Sequence, residues 1–286
     1  MSAVIERSEM LLPGPAQALG GLLGVPVPDL SGDAGLPLLW HWVYLLERPA
    51  QADLGPDGHP IRGTVPEPPG PGRRRMWAGG SVRVTGALRC GQLATKRTTV
   101  LSVQEKHGRS GNLTFAAVGH QIRQDGRLVI DERQDIVYRE AISRAGQPPD
   151  PPEVDLVSEE SRVLPPSDGE WALETPPSLL FRFSALTYNA HRIHYDRDYA
   201  RDVEGYPGLL THGPLQALVM AEAARAYGCH GDQHFEYRLV APLFDYQGIV
   251  VKASREADAT ATTVRDKYGR TTASGTLRSI GGEARR

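Results

Sequence analysis

Little in this chain points to a redox, secreted or membrane setting. Cysteine occurs twice, at Cys90 and Cys229, with no ligand-like spacing, which argues against a disulfide-stapled secreted scaffold and makes reduced cytoplasmic thiols the simpler reading. No apolar run is long enough to span a bilayer. The opening residues include Glu6 and Glu9. They lack the basic-then-apolar order of a secretory leader and the arginine-rich, acid-poor composition of a mitochondrial one, so the expected location is the cytoplasm. Neither sign of charge dominates: 32 Lys and Arg against 34 Asp and Glu leave a net charge of −2 and a pI near 6.5. That balance gives no reason to expect nucleic acid or an anionic membrane as partner.

With 286 residues, 40% of them hydrophobic, the chain can build one large or two small domains. Residues 38–47 are apolar and aromatic and are expected to form a short helix or buried turn. In it Trp40, Trp42 and Tyr44 belong to core or pocket wall and His41 is a satisfied buried histidine. Residues 49–75 are rich in Pro, Gly and Arg without periodicity, an irregular loop of the length used for functional covers. The basic cluster Arg73, Arg74 and Arg75 beside it reads as a solvated face, or alternatively as a contact for phosphate groups. Residues 76–138 alternate or run β-branched, broken at GRSGN and QDG where tight hairpins need glycine, so an antiparallel sheet is expected there. Residues 145–178, proline-rich and acidic, read as a linker. Strand texture returns over 234–280, where three strands and a hairpin at Tyr268, Gly269 and Arg270 are expected, and the final GGEARR reads as a frayed end.

Proton-transfer chemistry concentrates in residues 181–226. Gly213 followed by Pro214 is a helix start, because a Pro there loses only an N–H that has no partner. Leu215, Leu218 and Val219 follow at helical spacing and Gly228 can cap the end, which predicts a helix over 214–227 with one buried face. Its first N–H groups, near Gly213, suit a developing oxyanion. Upstream, Asn189, His191, His194 and Asp196 are spaced as neither a helix face nor a strand face, and are expected on an irregular turn that gathers polar side chains. Three readings of these residue types stay open: solvated loop histidines, a metal site, and an acid/base site, since imidazole titrates nearest neutrality.

The same residues resemble the MaoC-like, R-specific enoyl-thioester hydratase/dehydratase motif, Asp-x-Asn-Pro-x-His-x-Asp followed by His-Gly at the start of a central helix. Laid on without gaps, Asn189 takes the place of the family's Asp, His191 of its Asn, Arg192 of its Pro, His194 of its catalytic His and Asp196 of its trailing Asp, while His212 and Gly213 fall on the His-Gly. The wording around the motif is similar to the branch of mitochondrial type 2 3-hydroxyacyl-thioester dehydratases and itaconyl- and mesaconyl-coenzyme A hydratases. Trp40-His41-Trp42, His107-Gly-Arg-Ser-Gly, Asp135-Ile-Val-Tyr138-Arg and Arg238-x-x-x-Pro242-Leu-Phe extend the likeness along the chain.

The resemblance implies an α+β double hotdog: a degenerate first half over 1–144 that supplies acyl space, a linker over 145–178 and a catalytic half over 179–286. It implies a hydro-lyase in which His194 is the base, Asn189 holds water, His191 takes part of the vacated Asp role and Gly213 N–H receives the thioester oxygen. Asp196 then orients His194 or caps the next turn. Tyr188, Arg192, His212 and Pro214 are the implied substrate contacts. No metal or redox cofactor is expected, only coenzyme A or acyl carrier protein as part of the substrate, and a homodimer is a further expectation. Arg182, Arg192, Arg197 or Arg238 can pair with a terminal carboxylate. Competing readings are a hotdog thioesterase and a non-catalytic acyl-binding subunit.

Overall fold

A strand that half-buries every second residue, β1 (Val4–Met10), runs directly into helix α1 (Pro13–Leu23). Prolines at the helix start suit its unpartnered first turn. Leu19, Leu22 and Leu23 form the buried stripe, and Gly24 ends the helix at φ +68. Neither element was expected from the sequence, and the helix of the first half lies at 13–23, ahead of the expected 38–47. The latter segment is a single 3-10 turn, Trp40–Val43, with Trp40 and Tyr44 in the core.

The computed structural model describes residues 4–64, 66, 68, 73–108, 111–140 and 163–280. After the 3-10 turn come four long strands, β2 (Arg73–Val84), β3 (Leu93–Gly108), β4 (Gly111–Gln124) and β5 (Arg127–Glu140). Asp125 and Gly126, at φ +51 and +74, make the tight β4–β5 hairpin turn. Residues 145–162, 281–286 and the tip of the GRSGN turn lie outside the described residues. The rest of the expected linker is not featureless, because β6 (Glu170–Leu173) and the start of α2 (Pro177–Leu186) fall in it. Arg265 holds β6 in place through Glu170, at 2.7 Å. Helix α3 (Gly213–Ala226) follows, and then four strands where three were expected: β7 (Gln233–Leu239), β8 (Ile249–Arg255), β9 (Thr260–Arg265) and β10 (Thr271–Ser279). Gly269, at φ +97, makes the β9–β10 turn.

All ten strands form one antiparallel sheet in the order β1-β3-β4-β5-β2-β7-β10-β9-β8-β6. Read outward from its middle, each half has the same plan: a second strand at the centre, then fifth, fourth and third, with the first at the rim. The two halves join where β2 pairs with β7, from Gly79 opposite Arg238 to Val84 opposite Gln233. Gly79 permits this closeness, since a Cβ there would lie 2.4 Å from Tyr237 O on β7, while one on Gly80 would lie 2.3 Å from Arg133 O on β5, the strand on the other side.

Helix α3 is buried nearly all round, from Leu215 through Glu222 and again at Ala224, where periodicity alone suggested one buried face. It packs on β8, β9 and β10 and also reaches β2, so the sheet wraps it while the first half covers its other side. One polar tie crosses between the halves: the indole N–H of Trp40 donates to Glu222 Oε1 at 2.7 Å, and Arg225 Nε donates to the other oxygen at 3.0 Å. Glu222→Ala strands a fully buried indole N–H. It is expected to cost about 2–3 kcal/mol of stability, read as a lower urea midpoint at unchanged slope, with Trp40→Phe partly restoring the double variant.

Candidate active site

The chain leaves α2 through Tyr188, in the left-handed region at φ +53, and then folds back on itself. Asn189 N–H donates to Ser184 O at 2.8 Å, and Asn189 Oδ1 accepts the N–H of His191 at 3.0 Å. This side chain-to-backbone turn aims the residues that follow. Arg192 to His194 form one 3-10 turn. Asp196 then caps the next segment by accepting Tyr199 N–H at 3.0 Å, while its other oxygen takes two donors of Arg192 at 2.7 and 3.0 Å. Of the two roles expected for Asp196, the structure gives it the capping one.

His194 is buried, and its Nδ1 lies 2.6 Å from Leu210 O. A carbonyl only accepts, so Nδ1 carries the proton and Nε2 of the neutral ring keeps its lone pair for the cavity it lines. Leu210 is itself fixed, donating its N–H to Ile193 O at 2.9 Å. His212 stacks on His194 with ring centres 3.6 Å apart and an 18° tilt, and its Nε2 meets Ser184 Oγ at 2.9 Å. His191 stands perpendicular to His194 at 5.5 Å. Gly213 opens α3, so its N–H has no intrahelical partner, and a Cβ there would lie 2.2 Å from Leu239 Cδ1.

The first half completes this cluster from the loop at 55–60. Gly58, at φ +86, sits so close to the catalytic loop that a Cβ would lie 1.9 Å from Ala190 O. Arg192 fastens the contact, with its N–H on Asp57 O at 2.8 Å and its Nη1 on Pro56 O at 3.0 Å. Asp57 Oδ2 meets His59 Nδ1 at 3.1 Å, and the His59 ring lies 3.8 Å from that of His191. Asp57, His59 and His191 also present ligand-type atoms within 4.8 Å of one another, the one such group among the described residues. The Asp57–His59 hydrogen bond accounts for much of that closeness.

Burial governs the electrostatics. It pushes His194 down to about 4, with the Leu210 carbonyl pulling weakly the other way and His59 adding to the fall. Burial, then His59 and His194, push His191 far lower, and His212 falls well below its ordinary value by burial and by His194. His59 is lowered by burial against the pull of Asp57. For Asp57 burial acts upward, but the hydrogen bond and charge of His59 outweigh it and keep the carboxyl below its usual range. At neutral pH the site is therefore a set of neutral imidazoles with one ionised carboxylate.

These groups line a cavity of about 1340 Å³ between the halves. Its first-half wall carries a second polar cluster: Glu132 accepts from His41 and Trp42 at 2.9 Å each and from Gln134 at 2.8 Å. Burial acts to raise the Glu132 carboxyl, but the His41 hydrogen bond and charge prevail and hold it at about 2. Asn189, His191, His194, Gly213, Tyr188 and Pro214 all line the cavity. Two expected substrate contacts do not. His212, with no exposed surface, lies behind His194, and Arg192 has its guanidinium bound to Asp196 and Pro56. Sequence reading missed Asp57 and His59, although His59 is the one histidine of the Pro- and Gly-rich loop and stands two residues from an acid.

The sequence model of the family "hydroxyacyl-thioester dehydratase type 2" matches residues 39–245. The chain is 44% identical over 269 residues to mesaconyl-C(4)-CoA hydratase of Chloroflexus aurantiacus, covering 93% of this chain and 91% of that one. It is 25% identical to the mitochondrial hydroxyacyl-thioester dehydratase type 2 of Schizosaccharomyces pombe, over 85% and 88% of the two chains. Among solved structures, HtdX of Mycobacterium tuberculosis superposes with TM-score 0.67 at 12% identity over 97% of this chain and all of the other. A Mycobacterium tuberculosis protein with a double hotdog fold does so at 0.53 and 15% identity, over 96% and 94% of the two chains. The ten-stranded sheet is thus a double hotdog, and the chain belongs to the hydroxyacyl-thioester dehydratase type 2 family, as a thioester hydratase or dehydratase.

Proposed function

We propose that the protein adds water across the α,β double bond of a short dicarboxylic enoyl-coenzyme A of the mesaconyl type, and catalyses the reverse elimination. The 44% identity to mesaconyl-C(4)-CoA hydratase supports the substrate. The observation that carries the mechanism is the neutral His194 held by Leu210 O with its Nε2 toward the cavity.

His194 Nε2 takes a proton from water as the oxygen bonds to the β-carbon. Negative charge then moves onto the thioester oxygen, where Gly213 N–H meets it with the positive end of α3 behind, an interaction stronger in the transition state than in the ground state. Returning the proton to the α-carbon completes hydration without a resident metal or redox group. Asn189 cannot be a base, and its Oδ1 is already committed to the loop, leaving its amide N–H groups for water. The carboxylate held beside the imidazoles is Asp57, bound to His59, whose ring packs on His191.

Three outcomes follow from these roles. His194→Ala is expected to lower kcat for mesaconyl-C4-coenzyme A hydration by about 10³-fold, and Asp57→Asn or His59→Ala by about 10- to 100-fold, read as loss of enone absorbance with no free thiol. Release of thiol at the rate of enone loss would instead mean a thioesterase. Hydration needs neutral His194, so its rate holds from neutrality down to about pH 5 and declines below with an apparent pKa near 4. An acid limb centred at 6 to 7 would contradict this. Stability changes over a related window. Unfolded, His194 regains an ordinary pKa near 6.5, so below that pH the unfolded chain binds a proton that the folded one does not. Its contribution is full above about pH 6.5 and is lost toward pH 4. His194 alone accounts for about 3 kcal/mol, measured as denaturant midpoints across pH and reduced in His194→Gln.

A further inference from the structure

Resting on the dicarboxylic reading above, we infer that Arg75 is the residue that binds the second carboxylate of the substrate and so sets the enzyme's selectivity for dicarboxylic over plain acyl thioesters.

The cations that line the cavity are few. Arg74 is paired with Glu204 at 2.7 Å. Lys96 lies in the field of Glu132, Glu47 and Glu9, carboxylates that repel an incoming anion. Arg75 lines the cavity, is half-buried on β2, and has no ion-pair partner among the described residues. Its charge acts on both His59 and His191, which places the guanidinium within electrostatic reach of the imidazoles beside His194. That position belongs to the reacting end of the substrate. The phosphates of a coenzyme A lie a whole pantetheine arm from the thioester, so a group acting on the catalytic histidines faces the acyl part.

A planar guanidinium matches a carboxylate in a two-point fork, and in a partly desolvated cavity an unmatched one favours an anionic ligand over a methyl group of similar size. The four arginines that sequence reading offered for this task are elsewhere. Arg192 is bound to Asp196 and Arg197 to Asp245, while Arg182 and Arg238 are exposed and absent from the cavity wall. The basic cluster at 73–75, read from sequence as a solvated face or a phosphate contact, supplies the cation instead.

The test compares succinyl- and butyryl-coenzyme A, saturated thioesters differing by a carboxylate in place of a methyl, as competitive inhibitors of hydration. Wild type is expected to bind the succinyl thioester about 100-fold more tightly, and Arg75→Met to abolish that preference, with the loss for mesaconyl-C4-coenzyme A appearing mainly in KM. Arg75→Lys is expected to fall between, and it carries the same comparison if the Met variant does not fold. An Arg75→Met enzyme that keeps the wild-type preference overturns the inference. So does one that weakens both inhibitors equally, which would make Arg75 a contact for the carrier. A wild-type enzyme with no preference for the succinyl thioester would instead overturn the dicarboxylic reading itself.

Discussion

Four imidazoles packed ring against ring out of water, with a single carboxylate among them, are the constraint on which the site depends. His212 stacks on His194, His194 meets His191 edge-on, and His191 lies against His59, which Asp57 holds. Desolvation makes charge on any of these rings costly, and a second charge beside the first costlier still. Burial favours the neutral form of the cluster, and hydrogen bonds set the orientation of three of its rings, with His59 held by Asp57. Leu210 O and Ser184 Oγ fix two of them. A base built this way has low affinity for a proton in the resting enzyme. In the proposed reaction its use depends on compensating charge arriving with the substrate, on the thioester oxygen at Gly213.

That requirement explains why the two halves are one machine. The symmetric strand order places the pairing of β2 with β7 at the middle of a continuous sheet, so the first half's loop at 55–60 comes to rest on the catalytic loop of the second. Gly58 at Ala190 O, and Arg192 bridging Pro56 and Asp196, leave that contact almost no slack. Arg192 therefore fastens the two loops to each other.

Much of this was legible in the sequence, and the reasons for the misses are specific. The helix opening at Gly213-Pro214 was readable because helix starts are local, and the hairpins at 125–126 and 269 because positive φ restricts residue choice. The residue set around His194 was legible as chemistry because the types are rare in combination. Helix α1 was obscured by its own glycines and prolines, and β6 by the proline-rich segment that precedes it, which hides four residues whose pairing is decided by β8. Full burial of α3 was not readable from one helix period, because the second covering surface comes from the distant half. The contributions of Asp57, His59 and Arg75 depend on contacts more than a hundred residues away in sequence, which no local pattern encodes.

The exchange of Asp for Asn at position 189 gains a physical sense from this arrangement. In the resembling motif the carboxylate stands in the same loop as the catalytic histidine. Here Asp57 already brings a carboxylate to the imidazole cluster that His191 joins from this loop. Two ionised carboxylates sharing one desolvated pocket would push one of them to bind a proton. Asn189 adds no second charge, while its oxygen accepts His191 N–H and so shapes the loop. The one carboxylate of the cluster therefore comes from the first half, and it reaches the histidines because the loop at 55–60 packs on the loop at 189–194.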